Sequence, residues 1–311
     1  MKRNMTTSAL LFGIVVILAG RVVAAEATTT APIIAPAANL EKLDKNLGAG
    51  FEFAEGPAAD AQGNVYFTDQ PNDRIMKWNV DGTVSTFLKP CGRSNGLCFD
   101  ADGKLWACAD EKNELWRIDL KTKEKTVVVK TFQDKLLNGP NDVWLRPDGG
   151  LYFTDPYYQR PYWKRGPKEI DIEGVYYIPP DRKQLVRVVA DLSQPNGIIG
   201  TPDGKLLYIS DIRGNKTYAY EIQADGTLAA KRLFCNLGSD GMTIDDHGNV
   251  YLTGHGVTVF DRKGKQVEHI DVPEAWTGNV CFGGRDRQTL FITASKGIYG
   301  LRMAVRGVGS Q

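Results

Sequence analysis

Histidine and cysteine are scarce in this chain, and their scarcity removes several kinds of chemistry. There are three histidines, His247, His255 and His269. Only His255 stands close enough to a repeated segment end to be considered as a base, and no Gly-x-Ser-x-Gly run is present, so a Ser-His-Asp nucleophile elbow has no support. The five cysteines, Cys91, Cys98, Cys108, Cys235 and Cys281, contain no Cys-x-x-Cys. That argues against a thiol-redox centre or a zinc ribbon, and an odd count defines no disulfide framework. Cys98 and Cys108 flank one tight turn and are a candidate pair, with buried free thiols as the alternative. Excess charge is also lacking. The formal net charge is +1, which gives no reason to expect nucleic acid or an acidic surface as partner. The mature part has no strong amphipathic helix pattern.

Long apolar runs are absent as well. The longest at the start, Ala9 to Gly20, follows Lys2 and Arg3 and precedes the small residues Val23-Ala24-Ala25. This reads as an export signal over residues 1–25, too short to span a bilayer comfortably, with an uncleaved anchor as the alternative. Residues 26–39, rich in Thr, Ala and Pro, read as a disordered tether. The expected location is periplasmic or secreted, with no membrane partner once the signal is removed.

What the chain does have is a repeat. Six segments end alike: Asn64-Val-Tyr-Phe-Thr-Asp69, Leu105-Trp-Ala-Cys-Ala-Asp110, Leu151-Tyr-Phe-Thr-Asp155, Leu207-Tyr-Ile-Ser-Asp211, Val250-Tyr-Leu-Thr-Gly254 and Leu290-Phe-Ile-Thr-Ala294. The ends are 41, 45, 56, 43 and 40 residues apart. Periods of this size with several short strands each mark a propeller. Before each end lies a turn, as at Asp102-Gly103, Asp148-Gly149 and Asp203-Gly204, suited to joining two antiparallel strands. Further short, β-branched or aromatic stretches follow, such as Arg74–Trp78 and Glu114–Ile118. Four strands per unit make a blade. The expectation is an all-β fold, a six-bladed β-propeller over residues 40–304 with a C-terminal tail at 305–311. A β-sandwich or other barrel is the rival.

Two irregularities carry predictions. The sixth unit runs out of chain before a fourth strand, and the otherwise unassigned Leu40–Leu47 could supply it and close the ring. The 56-residue interval contains an insertion, about Pro156 to Glu173, whose Tyr157, Tyr158, Tyr162 and Trp163 are either a wall over the channel or a loop packed on the blade. The recurring Tyr66, Tyr152, Tyr208, Tyr251 and Phe291 are expected between blades.

Fourteen or fifteen residues before the six ends stand Glu55, Asn95, Asn141, Asn196, Asp240 and Asn279. All carry side-chain oxygen. In a propeller the innermost strands line a central channel, so these six should converge near one mouth. Hard oxygen donors with two carboxylates suit calcium, magnesium or manganese better than copper or a thiolate zinc site. The simpler reading is that Asn and Asp before Gly form turns, but Glu55 is a poor turn former.

The runs Glu55-Gly-Pro57, Asn141-Asp-Val-Trp-Leu-Arg-Pro-Asp-Gly149, Pro195-Asn-Gly197, Ser239-Asp-Gly-Met242 and Asn279-Val-Cys-Phe-Gly-Gly284 resemble the SMP-30/gluconolactonase family over essentially the whole mature chain. The resemblance implies a six-bladed propeller with one divalent metal in the channel, calcium first, with magnesium, manganese or zinc as alternatives. It implies Glu55, Asn141, Asn196 and Asp240 as ligands, Asp240 as the catalytic base, and Asn95 and Asn279 as substrate-binding positions. In some members the Asn matching Asn141 contacts substrate instead. The sugar-lactone enzymes of animal type carry an Arg where this chain has Gly139. The expected activity is metal-dependent opening of a lactone, a small-molecule substrate, by a monomer or weak dimer. The other reading is a non-catalytic periplasmic binding platform whose metal is structural.

Overall fold

The computed structural model describes Met1, residues 32–45 and residues 50–308. The expected export signal beyond Met1, the first part of the tether, the end of the Leu40–Leu47 segment and residues 309–311 lie outside these. Among the described residues no helix is long and apolar enough to cross a membrane.

Six four-stranded antiparallel sheets follow one another along the chain. We letter their strands a to d from the channel outward. Blade one is Ala54–Ala59, Val65–Asp69, Arg74–Trp78 and Val84–Leu88. Blade two is Ser94–Phe99, Leu105–Ala109, Glu114–Ile118 and Lys125–Val129. Blade three is Val143–Leu145, Leu151–Asp155, Gly174–Ile178 and Val186–Val189. Blade four is Pro195–Gly200, Leu206–Asp211, Lys216–Ile222 and Leu228–Cys235. Blade five is Met242–Ile244, Val250–Gly254, Gly256–Phe260 and Gln266–Ile270. Blade six takes strands a to c from Thr277–Gly283, Thr289–Ala294 and Gly297–Arg302. Its strand d is Glu41–Lys42, paired antiparallel with Gly300 and Tyr299.

The a–b turns carry the repeat. Gly63, Gly103, Gly149, Gly204 and Gly248 all have positive φ, the conformation a tight reversal needs and glycine adopts without a Cβ clash. The sixth turn uses Gly284 and Arg287, both at positive φ.

The core is divided into six clusters, one at each seam between adjacent blades. The recurring aromatics occupy these seams. Tyr66 meets Phe99 across the first at 5.3 Å, and Tyr251 meets Phe282 across the fifth at 5.3 Å, both edge to face. Phe67 and Phe291 join the last blade to the first at 5.5 Å. Each buried ring contributes roughly 1.5–3 kcal/mol by removal from water. All five cysteines are free thiols, including Cys98 and Cys108.

The ordered body extends further at both ends than composition suggests. Residues 32–38 fall within the span read as a tether, yet Ile34 bridges Met303, Ala35 N–H donates to Arg302 O at 3.1 Å, and Ile33 and Ile34 pack on the seam between blades five and six. Two isoleucines in an Ala-, Thr- and Pro-rich stretch give the segment an apolar face to bury. In the span read as a tail, Val305 is buried and Gly307 bridges Asp245. Outside the blades, Thr131–Phe132 pairs with Lys135–Leu136 as a short hairpin. It turns through Gln133 and Asp134, both at positive φ, and lays Phe132 on Tyr176 at 5.0 Å.

Candidate active site at the channel mouth

The six repeated oxygen-bearing residues stand at or just before the start of the six innermost strands. In blades one, two, four and six the a–b register shifts at or beside this point, between Glu55 and Ala58, Ser94 and Leu97, Pro195 and Ile198, and Thr277 and Asn279. A bulge there re-aims a side chain that regular pairing would alternate away. In blades three and five the strand begins only after the residue, at Val143 and Met242.

The segment ends hold these positions. Asp155 accepts the N–H groups of Asn138 and Gly139 at 2.9 and 2.7 Å, just ahead of Asn141. Asp211 does the same for Ser193 and Gln194 ahead of Asn196, and Asp69 for Glu52 and Phe53 ahead of Glu55. In blades one and five the hydroxyl before the end reaches further: Thr68 Oγ1 donates to Asn95 O in the next blade, and Thr253 Oγ1 to Gly278 O. The recurring Thr/Ser-Asp pair is thus scaffolding for the ring.

Glycines beside the ring residues serve the same end. A Cβ on Gly56 would lie 2.0 Å from Asn95 O, and one on Gly241 would lie 1.9 Å from Asn279 Cγ. The glycine read as a turn former is the place where the next blade's ring residue passes. Blades three and six differ, with Asp142 and Val280 in that place.

Glu55 and Asn196 are almost fully enclosed, at 3% and 1% exposure. Asn196 Nδ2 donates to Asp240 Oδ1 at 2.8 Å and to Tyr158 Oη at 2.9 Å. Its Oδ1 is buried with no hydrogen-bond partner. Trp276 Nε1 donates to Asp240 Oδ2 at 2.6 Å. Glu55 Oε2 accepts its neighbour's N–H, from Gly56, at 2.9 Å. Asn95 and Asn141 are buried and take part in the ring through their backbone carbonyls. Asn279 is turned away from the mouth. Its Oδ1 accepts Val280 N–H at 2.8 Å, and with Asp142 it lines a cavity of about 280 Å³ that runs down the channel toward the opposite face.

Burial dominates the electrostatics. Desolvation, and next the Asp240 charge, push the Glu55 carboxyl well above its ordinary range. Desolvation raises Asp240 to about 6, opposed by the Trp276 and Asn196 hydrogen bonds and the Arg160 charge. Asp142 is raised to about 7, again chiefly by burial.

Among the described residues no three His, Cys, Asp or Glu side chains come together to hold a metal. The donor set of the mouth is two buried carboxylates with amide oxygens. An acceptor without a donor at Asn196 Oδ1, beside two carboxyls that burial disfavours as anions, fits a hard cation.

Several residues here do not belong to the repeated ring positions. Trp276 precedes the last innermost strand. Tyr158 and Arg160 belong to the insertion, and Asp110 is a segment end that departs from its equivalents. Asp110 Oδ2 accepts from Tyr162 Oη at 2.5 Å and Gln70 Nε2 at 3.4 Å, while Trp163 Nε1 donates to its carbonyl at 2.8 Å. The insertion therefore lies over the mouth, and a Cβ on Gly139 would meet Asp110 Oδ1 at 2.7 Å and Trp163 at 3.2 Å. His255 is exposed, its ring edge-on to Trp276 at 5.3 Å.

Fold and mouth together define a six-bladed propeller with an oxygen-lined central site. The SMP-30/Gluconolactonase/LRE-like region model matches residues 53–296, and the chain belongs to that family. It is 31% identical over 291 residues to a gluconolactonase of Zymomonas mobilis, covering 84% of this chain and 81% of the relative. A solved gluconolactonase of Xanthomonas campestris superposes with a TM-score of 0.79 at 31% identity, covering 88% of this chain and 94% of that one. A calcium-binding regucalcin of Agrobacterium tumefaciens shares the fold, with a TM-score of 0.73 at 20% identity, covering 86% and 95%.

Proposed function

We propose that this chain is a lactonase that hydrolyses a small lactone at the channel mouth with one divalent metal, calcium first, held by Glu55, Asn196 and Asp240, with Asn141 beside them. Two gluconolactonases of about 30% identity over most of the chain support the activity. The observation that carries the site is the buried, partnerless Asn196 Oδ1 beside the Glu55 and Asp240 carboxyls.

Hydrolysis forms a bond between water oxygen and the lactone carbonyl carbon and breaks the ring carbon–oxygen bond. One proton of the water goes to the ring oxygen and the other is released when the new acid ionises, giving a hydroxy carboxylate. A divalent cation in this site supplies Lewis-acid polarisation of the carbonyl and balances charge on its oxygen. Asp240 is the base that takes the proton from water. Trp276 and Asn196 each hold one of its oxygens, fixing the carboxylate plane and leaving a lone pair on each oxygen for the work. The same group can return the proton to the departing ring oxygen. Tyr158 closes the side of the site and keeps Asn196 from rotating.

The test is alkali consumption at constant pH with a panel of lactones, before and after chelation and calcium return. Turnover that falls on chelation and recovers with calcium is expected. Inactivity on every lactone and ester, with metal present, overturns the reading.

A further inference from the structure

The insertion is pinned over the mouth at two points. Tyr158 is tied to Asn196 and Tyr162 to Asp110, so the residues between them bridge the site from blade four to blade two. Arg160 is at the centre of that span. Its guanidinium rests over the Tyr158 ring at 5.2 Å. Its Nε forms an ion pair with Asp110 Oδ2 at 3.4 Å without making a hydrogen bond, and the same oxygen accepts the Tyr162 hydroxyl at 2.5 Å. Among the described residues its terminal nitrogens donate to nothing, and its side chain keeps 27% exposure.

A planar fork with unmade donors, held in place by an aromatic ring, is the geometry that binds a carboxylate through two parallel hydrogen bonds. We propose that Arg160 is a specificity-determining residue, and that it selects lactones bearing a second, free carboxylate on the ring or its side arm. This rests on the lactonase reading. A metal there would balance Glu55 and Asp240, while Arg160, paired with Asp110 through Nε alone, keeps its terminal nitrogens for the substrate. The strap also occupies the space beside Gly139.

The test uses the calcium-loaded protein with two five-membered lactones, glucaro-1,4-lactone, which carries a free carboxylate, and galactono-1,4-lactone, which does not. Wild type is expected to favour the first by about 10- to 100-fold in kcat/KM, the scale of charge-assisted hydrogen bonds, with the difference in KM. In Arg160→Gln the ratio should fall to near one, and Arg160→Lys, which keeps charge but not the fork, should be intermediate. A collapsed strap would slow both lactones and leave the ratio, and an unchanged ratio in Arg160→Gln overturns the proposal. So does wild type that prefers the neutral lactone. Calorimetric binding of glucarate against gluconate to the same proteins gives a readout without turnover. If neither lactone is opened but glucarate binds better in an Arg160-dependent way, the lactonase reading fails and the recognition stands.

Discussion

Trp276 and Asp240 come from different blades and meet at 2.6 Å, indole N–H to carboxylate oxygen. The loop that carries Trp276 is itself clamped, its N–H donating to Ser295 Oγ and its carbonyl accepting from the same hydroxyl. The carboxylate assigned as base is therefore oriented by a neighbour that no repeat position encodes. Trp276→Phe keeps the ring and removes the donor. We expect kcat to fall about tenfold with metal content unchanged, since misorientation of a reacting group acts on the rate. Elemental analysis beside steady-state kinetics checks this. A fall in metal content that accounts for the lost rate would contradict it.

The base and the ligand roles of Asp240 separate by substitution. Asp240→Asn keeps shape and an oxygen donor but cannot accept the proton. Turnover should stay down by roughly 100-fold or more at saturating calcium. Glu55→Gln is the control for loss of one charge, and saturating calcium should restore most of its rate. Full recovery in Asp240→Asn removes the base assignment.

The metal-free protein should lose stability as pH rises. Burial holds Asp240 and Asp110 at about 6 and Asp142 and Asp155 at about 7, whereas the unfolded chain releases these protons near 4. Between about pH 4 and 7 the folded state therefore binds more protons, and stability falls with rising pH. Calcium, which competes for the deprotonated form, should raise Tm more at pH 8 than at pH 5. Melting curves with chelator and with calcium at both values decide it. An equal shift at both pH values counts against metal binding at carboxylates.

Gly241→Ala should damage the site while sparing the fold. The added Cβ meets a side chain, Asn279 Cγ at 1.9 Å, which can swing aside. Gly56→Ala meets backbone, Asn95 O at 2.0 Å, at a φ of +44, and should cost stability outright. Circular dichroism melts of the two, with activity, test the contrast. Equal Tm losses would mean the ring is uniformly rigid.

Ring closure can be weighed at Met303, which is fully buried opposite Ile34. Met303→Ala should cost about 2–5 kcal/mol. A protein beginning after residue 45 loses the whole latch and should melt lower and aggregate. Urea titration and light scattering provide the readings, and an unaltered midpoint in the shortened protein would show the ring closing without it.

The repeat made the blades legible because a tight turn needs glycine at positive φ, and Gly63, Gly103, Gly149, Gly204 and Gly248 mark it. It also made the ring legible, since six equivalent positions share one chemistry. It could not point to Trp276 or Arg160, which lie in connections whose sequences do not repeat from blade to blade. Asp142 did leave a signal, as an acid where four other units place Gly after the ring residue. Ile33 and Ile34 were obscured by their Ala-, Thr- and Pro-rich surroundings, and their burial depends on a partner strand almost the full chain away.

That distance has a consequence for how the molecule is made. Glu41 and Lys42 leave the ribosome first and must wait for Tyr299 and Gly300, a delay on the order of tens of seconds at ordinary synthesis rates. Through that interval Phe67 and Met76 have no Phe291 to cover them. The nascent chain is an open arc with one sticky flank, and any holdase that tends it should let go only when the last blade arrives.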